Sequence, residues 1–267
     1  MSSVARSLAS TGARLGYDTR LGEPNEEHNM KLAPLAPGTL EKLRRVSTAT
    51  LTTQLFKLGF RNTFLHGVRP LNPRLRMVGE AATLRFVPAR EDLASFDAIA
   101  TDEYPQRKAI DEILPGQVLV FDCRGVDSVA AAGEILMSRL KVRGAVGAVT
   151  DGAMRDFASI QTLDFPVYAK GMAAPAHVHR HLAVDMNVPV GCAEVLVMPG
   201  DVLVGDEEGV VCIPRHVADQ VAQSGLELER LEAFVLEKIN AGAPLRGTYP
   251  PDDATRSEYE AWRKKQR

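Results

Sequence analysis

From Thr39 the stretch TLEKLRRVSTATLTTQLFKLG places Leu40, Leu43, Val46, Leu51, Leu55 and Leu58 at helical intervals and stops at Gly59. This predicts an opening helix, or two short ones broken near Ser47. Four later runs, MVGEAATLRFVP, GQVLVFDC, GAVGAVTDG and FPVYAKG, are short, apolar and bounded by Gly or Pro, as buried strands are. Between them AREDLASFDAIATDEYPQRKAIDEI and AAGEILMSRLKVRG read as wholly or partly helical, and such alternation predicts an α/β fold on a mixed sheet. Beyond Val188 the chain changes character. In VPVGCAEVLVMPGDVLVGDEEGVVCIP, three strand-like pieces divided by the turns PGD and DEEG predict antiparallel hairpins. A long helix over residues 216–239 follows, with Val217, Val221, Leu228, Leu231 and Val235 on one apolar stripe. In the tail, Tyr259 and Trp262 are candidate anchors, either on another subunit or on their own domain.

Composition limits what this fold is for. The chain has 267 residues, 45% of them hydrophobic, enough to bury the core of one domain. That domain is expected over residues 37–240, between a polar N-terminal arm (1–36) and a C-terminal tail (241–267). Lys and Arg number 32 against 34 Asp and Glu, a formal charge of -2, so no global field favours nucleic acid or an anionic membrane. The expected partner is a small molecule. Cys123, Cys192 and Cys212 stand far apart in apolar contexts and read as reduced core thiols. No apolar stretch approaches the ~20 residues that cross a bilayer, and the N-terminus lacks the apolar centre of a secretory signal, so the cytoplasm is the expected compartment.

The candidate chemistry lies in one window, GEILMSRLKVRGAVGAVTDGAMRD, residues 133–156. Its first half is Gly133 followed by a helix that Gly144 closes. The free N–H groups of Ile135 and Leu136 at that helix start suit a small anion. The alternative is that Glu134 supplies favourable charge to its own helix, worth ~0.3 to 1 kcal/mol. In the second half a strand delivers Asp151, Gly152 turns the chain, and Arg155 and Asp156 follow at a place where α/β proteins assemble ligand sites. Arg155 offers a fork for a carboxylate. Asp156 is a hard oxygen ligand suited to Mg²⁺ or Mn²⁺, with water filling most of the shell. The alternative is an Asp-Gly turn carrying a surface Arg–Asp pair.

Other candidates read as structural. His177, His179 and His181 alternate in HVHRH and would share one face of a strand, but with no fourth ligand at a recognised spacing they read as a solvated cluster at the pocket rim. Asp206, Glu207 and Glu208 read as a hairpin turn. No GxGxxG follows a strand, so no nucleotide-type cofactor is expected.

The 133–156 window, together with STATLTTQLFKLG, VGEAATLRF and PGDVLVGDEEGVVCIP, resembles the family of the regulator of ribonuclease E activity A and the divalent-metal-dependent 4-hydroxy-4-methyl-2-oxoglutarate aldolases, over about residues 39–240. The resemblance implies a swivelling α/β/α domain with a mixed central sheet, C-terminal β-hairpins and a long C-terminal helix, assembled as a homotrimer or homohexamer with sites between subunits. It implies that Gly133, Glu134, Ile135, Leu136 and Arg155 hold a 2-oxo acid while Asp156 ligates Mg²⁺ or Mn²⁺. Arg155 and Glu134 are then the catalytic residues, in cleavage of a 4-hydroxy-2-oxo acid to pyruvate and in decarboxylation of oxaloacetate. A second possibility is a non-catalytic protein that acts on a ribonuclease. Thr53 stands where many relatives carry an Asp, and Glu229 or Glu232 is the candidate for the glutamate that the aldolases borrow from a neighbouring subunit.

Overall fold

The computed structural model describes residues 33–265, so all but the last four residues of the expected arm lie outside the described residues. The opening pattern resolves into two helices, α1 (Thr39–Leu43) and α2 (Thr48–Lys57). Ser47 divides them: its hydroxyl accepts the Thr50 N–H at 3.2 Å, capping α2. The strands that follow are β1 (Arg69–Pro70), β2 (Met77–Pro88), β3 (Gln117–Asp122), β4 (Ala130–Ala132), β5 (Gly147–Met154), β6 (Val167–Met172), β7 (His181–Met186), β8 (Val190–Cys192), β9 (Val195–Val197), β10 (Val202–Asp206) and β11 (Gly209–Ile213). Interleaved with them are α3 (Phe96–Ile99), α4 (Pro105–Glu112), α5 (Glu134–Val142) and α6 (Phe157–Thr162). The chain ends in α7 (Ala218–Asn240), α8 (Leu245–Thr248) and α9 (Asp253–Lys265).

The main sheet runs β1-β6-β5-β3-β2-β10-β11, with β4 added on β5 and β7 on β2. Its centre, β2, β3, β5 and β6, is parallel, and β10 and β11 close one side as an antiparallel hairpin. The same stretch of chain touches both edges. Leu65 N–H donates to Val210 O at 2.9 Å and Cys212 N–H to Thr63 O at 2.8 Å, and a few residues later β1 pairs with β6. The sheet is therefore nearly closed, which leaves few unpaired backbone groups at its edges.

Side chains alternate across this sheet with the period of two that a pleat imposes. On β3, Val118 and Val120 point inward, where they meet Met77, Tyr168 and Leu203 and are plugged by the separate β8–β9 hairpin through Val190, Cys192 and Val197. Leu119 and Phe121 point outward against Ile110 of α4, Met137 and Leu140 of α5 and Ile160 of α6. Elsewhere on the outside Val78, Val202, Val204 and Ile213 pack on Leu43, Leu51, Leu55 and Val221 of α1, α2 and α7. The predicted α/β/α arrangement, mixed sheet, C-terminal hairpins and long helix are all present. The three cysteines are buried and free, as their apolar contexts predict.

Three local expectations are corrected. Gly152 does not turn the chain but lies inside β5, where a Cβ would stand 2.7 Å from the Cys123 Cβ and 3.0 Å from Val126 O. The segment from Ala131, expected to be wholly or partly helical, is partly so: it opens as strand β4, where a partner strand offers its backbone a ladder, and continues as α5. The three strand-like pieces after Val188 are four, since Ala193 and Glu194 form a left-handed two-residue turn (φ 49° and 64°) inside an unbroken apolar-looking run. His177–His179 is a short 3₁₀ turn and only His181 is in a strand, so the alternate histidines do not share a strand face. In the tail, Tyr259 and Trp262 pack on Phe234 of α7 in their own chain (ring centroids 5.7 and 5.6 Å apart), and Trp262 Nε1 donates to Glu237 at 3.0 Å.

Asp206 shows how the turn read from GDEEG serves the fold. It is buried, and its carboxylate accepts the Thr48 N–H and hydroxyl, both at 2.8 Å, and the Glu208 N–H at 3.0 Å, pinning the start of α2 to the hairpin. Asp206→Ala strands those donors in the core. It should lower stability by about 2 to 3 kcal/mol in urea denaturation without changing the denaturant slope.

Candidate functional site

β4 lies parallel to β5 with Ala132 beside Met154, and Arg155 N–H donates to Ala132 O at 3.1 Å. The residues that follow on the two strands, Gly133 on one and Arg155 and Asp156 on the other, are thereby neighbours. Gly133 is the N-cap of α5 in an ordinary extended conformation, so glycine is not required by its backbone angles. Space requires it: a Cβ there would collide with the Asp156 carboxylate and stand 2.9 Å from both Cγ and Nε of Arg155.

Asp156 adopts φ 58°, ψ 40° ahead of α6. Asp tolerates this left-handed conformation better than most side chains. Its Oδ2 accepts the Glu134 N–H at 3.1 Å and lies 3.7 Å from Arg155 Nε, and both side chains remain nearly half exposed. Oδ1 has no partner among the described residues, and nor do the N–H groups of Ile135 and Leu136 in the first turn of α5. Free carboxylate oxygen, guanidinium and helix amides therefore converge at one place, as the sequence window predicts.

They open on a cleft of about 280 Å³. One wall is Ala130–Gly133 with Ile135, Leu136, Arg155 and Asp156, and the other includes Phe96, Ile99, Gln106, Arg107 and His177. Gln106 is held by donating to Ala131 O at 2.6 Å, and Arg107 by donating through Nε to Ile99 O at 2.9 Å. The Glu134 amide belongs to this corner, but its side chain is not part of the cleft wall.

The structure separates Asp151 from its neighbours in DGAMRD. It is buried within β5, where its carboxylate accepts the N–H groups of Cys123 and Gly125, both at 2.7 Å, and of Ala193 at 3.3 Å. Burial raises its pKa, and those three N–H groups oppose the rise. It ties the loop after β3 to the β8–β9 turn and does not reach the cleft.

The histidines are solvated only in part, His179 being exposed. His181 is fully buried, with Nδ1 3.1 Å from an Arg124 nitrogen, and burial holds its pKa down at about 4. His177 is half-buried in the cleft wall with Nε2 3.2 Å from Tyr104 Oη. The expected place of His177 at the pocket rim is met by its position in the cleft wall, whereas sequence reading missed Gln106 and Arg107 as parts of the cleft. Their only signal is position, since the helix that carries them comes from another part of the chain.

The two departures from the family pattern lie elsewhere. Thr53 donates to Ala49 O at 3.1 Å and lines a separate hollow of about 580 Å³ with Phe56, His66 and Glu208. Glu229 accepts the Ser47 N–H at 2.8 Å and its hydroxyl at 2.7 Å; burial raises its pKa and the Ser47 bonds outweigh that, leaving it lowered. Glu229 thus has a task within its own chain. Glu232 has a pKa raised by burial and by Glu229 beside it.

Among the described residues no three His, Cys, Asp or Glu side chains converge as a metal centre, and no helix is long and apolar enough to cross a membrane.

The chain is similar to several known proteins. A protein of Halalkalibacterium halodurans, provisionally named 4-hydroxy-4-methyl-2-oxoglutarate aldolase, is 35% identical over 156 residues, 58% of this chain and 68% of that protein. The crystal structure of an uncharacterized protein from Pseudomonas syringae superposes with a TM-score of 0.71 at 25% identity, covering 81% of this chain and 99% of that one. Streptomyces coelicolor RraAS2, described as an unusual member of the RNase ES inhibitor RraA protein family, gives a TM-score of 0.67 at 30% identity over 76% of this chain and 97% of its own. The family model RraA-like, described as Aldolase/RraA, matches residues 48–212, and with the majority of its length inside that match the chain belongs to the RraA-like family.

Proposed function

We propose that the protein is a divalent-metal-dependent carbon–carbon lyase that cleaves a 4-hydroxy-2-oxo acid to pyruvate, with oxaloacetate decarboxylation as a reaction the same site can support. The observation that carries this reading is the meeting of Arg155, Asp156 and the amide end of α5 on one cleft, in a chain whose relatives include proteins named as aldolases.

The residues present fit a hard divalent ion. Asp156 Oδ1 has no partner among the described residues, and Mg²⁺ accepts a single carboxylate because it keeps several waters. When bound, the ion supplies Lewis acidity to the substrate carbonyl. The chain's own groups do the rest. Ile135 and Leu136 N–H groups, aided by the dipole of α5, receive the C1 carboxylate. Arg155 aims its planar fork at the same end of the substrate, where negative charge builds on the C2 oxygen as the C3–C4 bond breaks. The electrons of that bond move onto the C2 carbonyl, giving the enolate of pyruvate, while the 4-hydroxyl loses its proton and becomes the carbonyl of the second product. The Glu134 carboxylate, off the cleft wall, reaches that hydroxyl only through water, and this water–Glu134 pair takes the proton and later returns one to the enolate carbon. In decarboxylation of oxaloacetate the same enolate forms as CO₂ leaves. The working unit in this reading is a homotrimer or homohexamer; Ile135, at the cleft and 80% exposed in the single chain, is apolar surface for a neighbour to cover.

The likeness to RraAS2 favours a second reading, a ribonuclease regulator that binds without turnover. A lactate-dehydrogenase-coupled assay over oxaloacetate and a panel of 4-hydroxy-2-oxo acids, with and without Mg²⁺, separates the two. Metal-dependent pyruvate release supports the lyase; its absence across the panel supports the regulator.

Two variants test the assignments. Asp156→Ala should abolish metal-stimulated pyruvate release and Mn²⁺ binding in calorimetry, and a variant fully active in EDTA would remove the metal from the account. Arg155→Lys keeps the charge but loses the fork, so turnover should fall about 10² to 10³-fold with an unchanged melting curve. Because an exposed Arg–Asp pair contributes at most about 1 kcal/mol to stability, a variant that melts early yet turns over normally would make the pair structural.

A further inference from the structure

His177 is a cleft residue that the lyase reading leaves without a task. Its Nε2 lies 3.2 Å from Tyr104 Oη, and its ring stacks on the Tyr104 ring, centroids 5.8 Å apart and planes 25° apart. Phe86 lies against it at 5.9 Å. Tyr104 is 6% exposed, and its hydroxyl oxygen already accepts the Ala183 N–H at 2.9 Å. That hydroxyl has one proton to place, and His177 Nε2 is its single acceptor among the described residues.

The tautomer follows from this arrangement. If Nε2 carried the proton, Tyr104 Oη would accept twice and its own buried proton would be left unpaired, the costlier alternative. Tyr104 therefore donates, Nε2 accepts, and the neutral ring carries its proton on Nδ1. Burial, with smaller contributions from His181 and Arg155, lowers the His177 pKa to about 4, so the ring is neutral near pH 7. Nδ1 has no partner among the described residues and is not among the buried unpartnered atoms, so it keeps access to solvent, and His177 is one of the residues that line the cleft.

We propose that His177 is a substrate-binding residue that gives its Nδ1–H to an oxygen of the 2-oxo acid, and that Tyr104 is the positioning residue that fixes this tautomer. With Nε2 engaged and Nδ1 protonated the ring has no free site for a proton, so it is a donor and not a general base. It adds a neutral donor, on the side of the cleft that also carries Gln106 and Arg107, to a cleft in which the Arg155 guanidinium and the α5 amides are assigned to the carboxylate end. The proposal rests on the reading that this cleft takes the 2-oxo acid.

The test uses the full chain labelled with ¹⁵N-histidine, the His177 signals being assigned by their loss in His177→Asn. At pH 7 Nδ1 should appear protonated and Nε2 unprotonated, and Tyr104→Phe should shift the ring toward the other tautomer. Oxalate added with Mg²⁺, as a mimic of the enolate end, should move the Nδ1 resonance. A ring protonated on Nε2 in the wild-type protein, or an Nδ1 resonance that oxalate leaves in place, overturns the proposal. In turnover, His177→Phe keeps the stacking but loses the donor, so kcat/KM should fall roughly tenfold or more. His177→Asn, whose amide N–H stands near the place of Nδ1–H, should recover most of it, and equal losses in the two folded variants would overturn the assignment. Should the wild-type protein release no pyruvate from any substrate, the lyase reading fails, while the tautomer and the oxalate titration still decide the role of His177.

Discussion

Arg155 N–H donates to Ala132 O where β4 lies along β5, and the rest of the site follows from that rung. The pairing puts the end of one parallel strand, with its helix start, beside the end of another. Two loops that leave a sheet at the same level can share one ligand, which is why open ends of parallel strands so often carry chemistry. Here the closeness is extreme, because Gly133 has no side chain and the Asp156 carboxylate occupies the space a Cβ would need. The carboxylate can then accept the Glu134 N–H, and the remaining amides of α5 stay free to face the cleft.

Three aspartates of this chain show how surroundings assign a role. Asp206 and Asp151 are buried and their oxygens are filled by donors of the chain itself: a helix start in one case and two loops in the other. Removing such a carboxylate leaves donors unpaired, so the consequence is loss of stability. Asp156 is nearly half exposed, has one oxygen engaged by a single amide and the neighbouring Arg155, and leaves the other oxygen without a partner among the described residues. A carboxylate so placed has capacity for something the chain does not provide. Its left-handed backbone, φ 58°, is the kind of conformation that persists where the surroundings hold it and where function gathers.

The strands of the sheet core were legible because their apolar runs are bounded by Gly and Pro, and α7 because its stripe repeats at helical spacing. The Gly133 and Asp156 corner was legible as two separate signals, a glycine before a helix and charged residues after a strand, but nothing local states that they touch. That contact depends on β4, a run of three alanines whose intrinsic preference is helical and whose strand conformation is imposed by β5. DGAMRD read as one polar turn because adjacency in sequence says nothing of which face of a pleat a side chain takes. Asp151 falls inside β5, and only Arg155 and Asp156 lie beyond its end. The conformation at His177 was misread for a related reason: the alternation in HVHRH suggested a strand, whereas a 3₁₀ turn delivers that ring to Tyr104 and the cleft.

If the close approach at Gly133 is what builds the site, the most direct measurement is metal binding and turnover in Gly133→Ala. The backbone there is extended and accepts alanine, so the variant should fold and melt close to the wild-type protein. The added methyl group must push the Asp156 carboxylate and Arg155 away from the start of α5, and a displacement of that kind should reduce Mg²⁺-dependent pyruvate release by about a hundredfold and weaken Mn²⁺ binding in calorimetry. A folded Gly133→Ala protein with wild-type turnover and wild-type Mn²⁺ affinity would contradict the account.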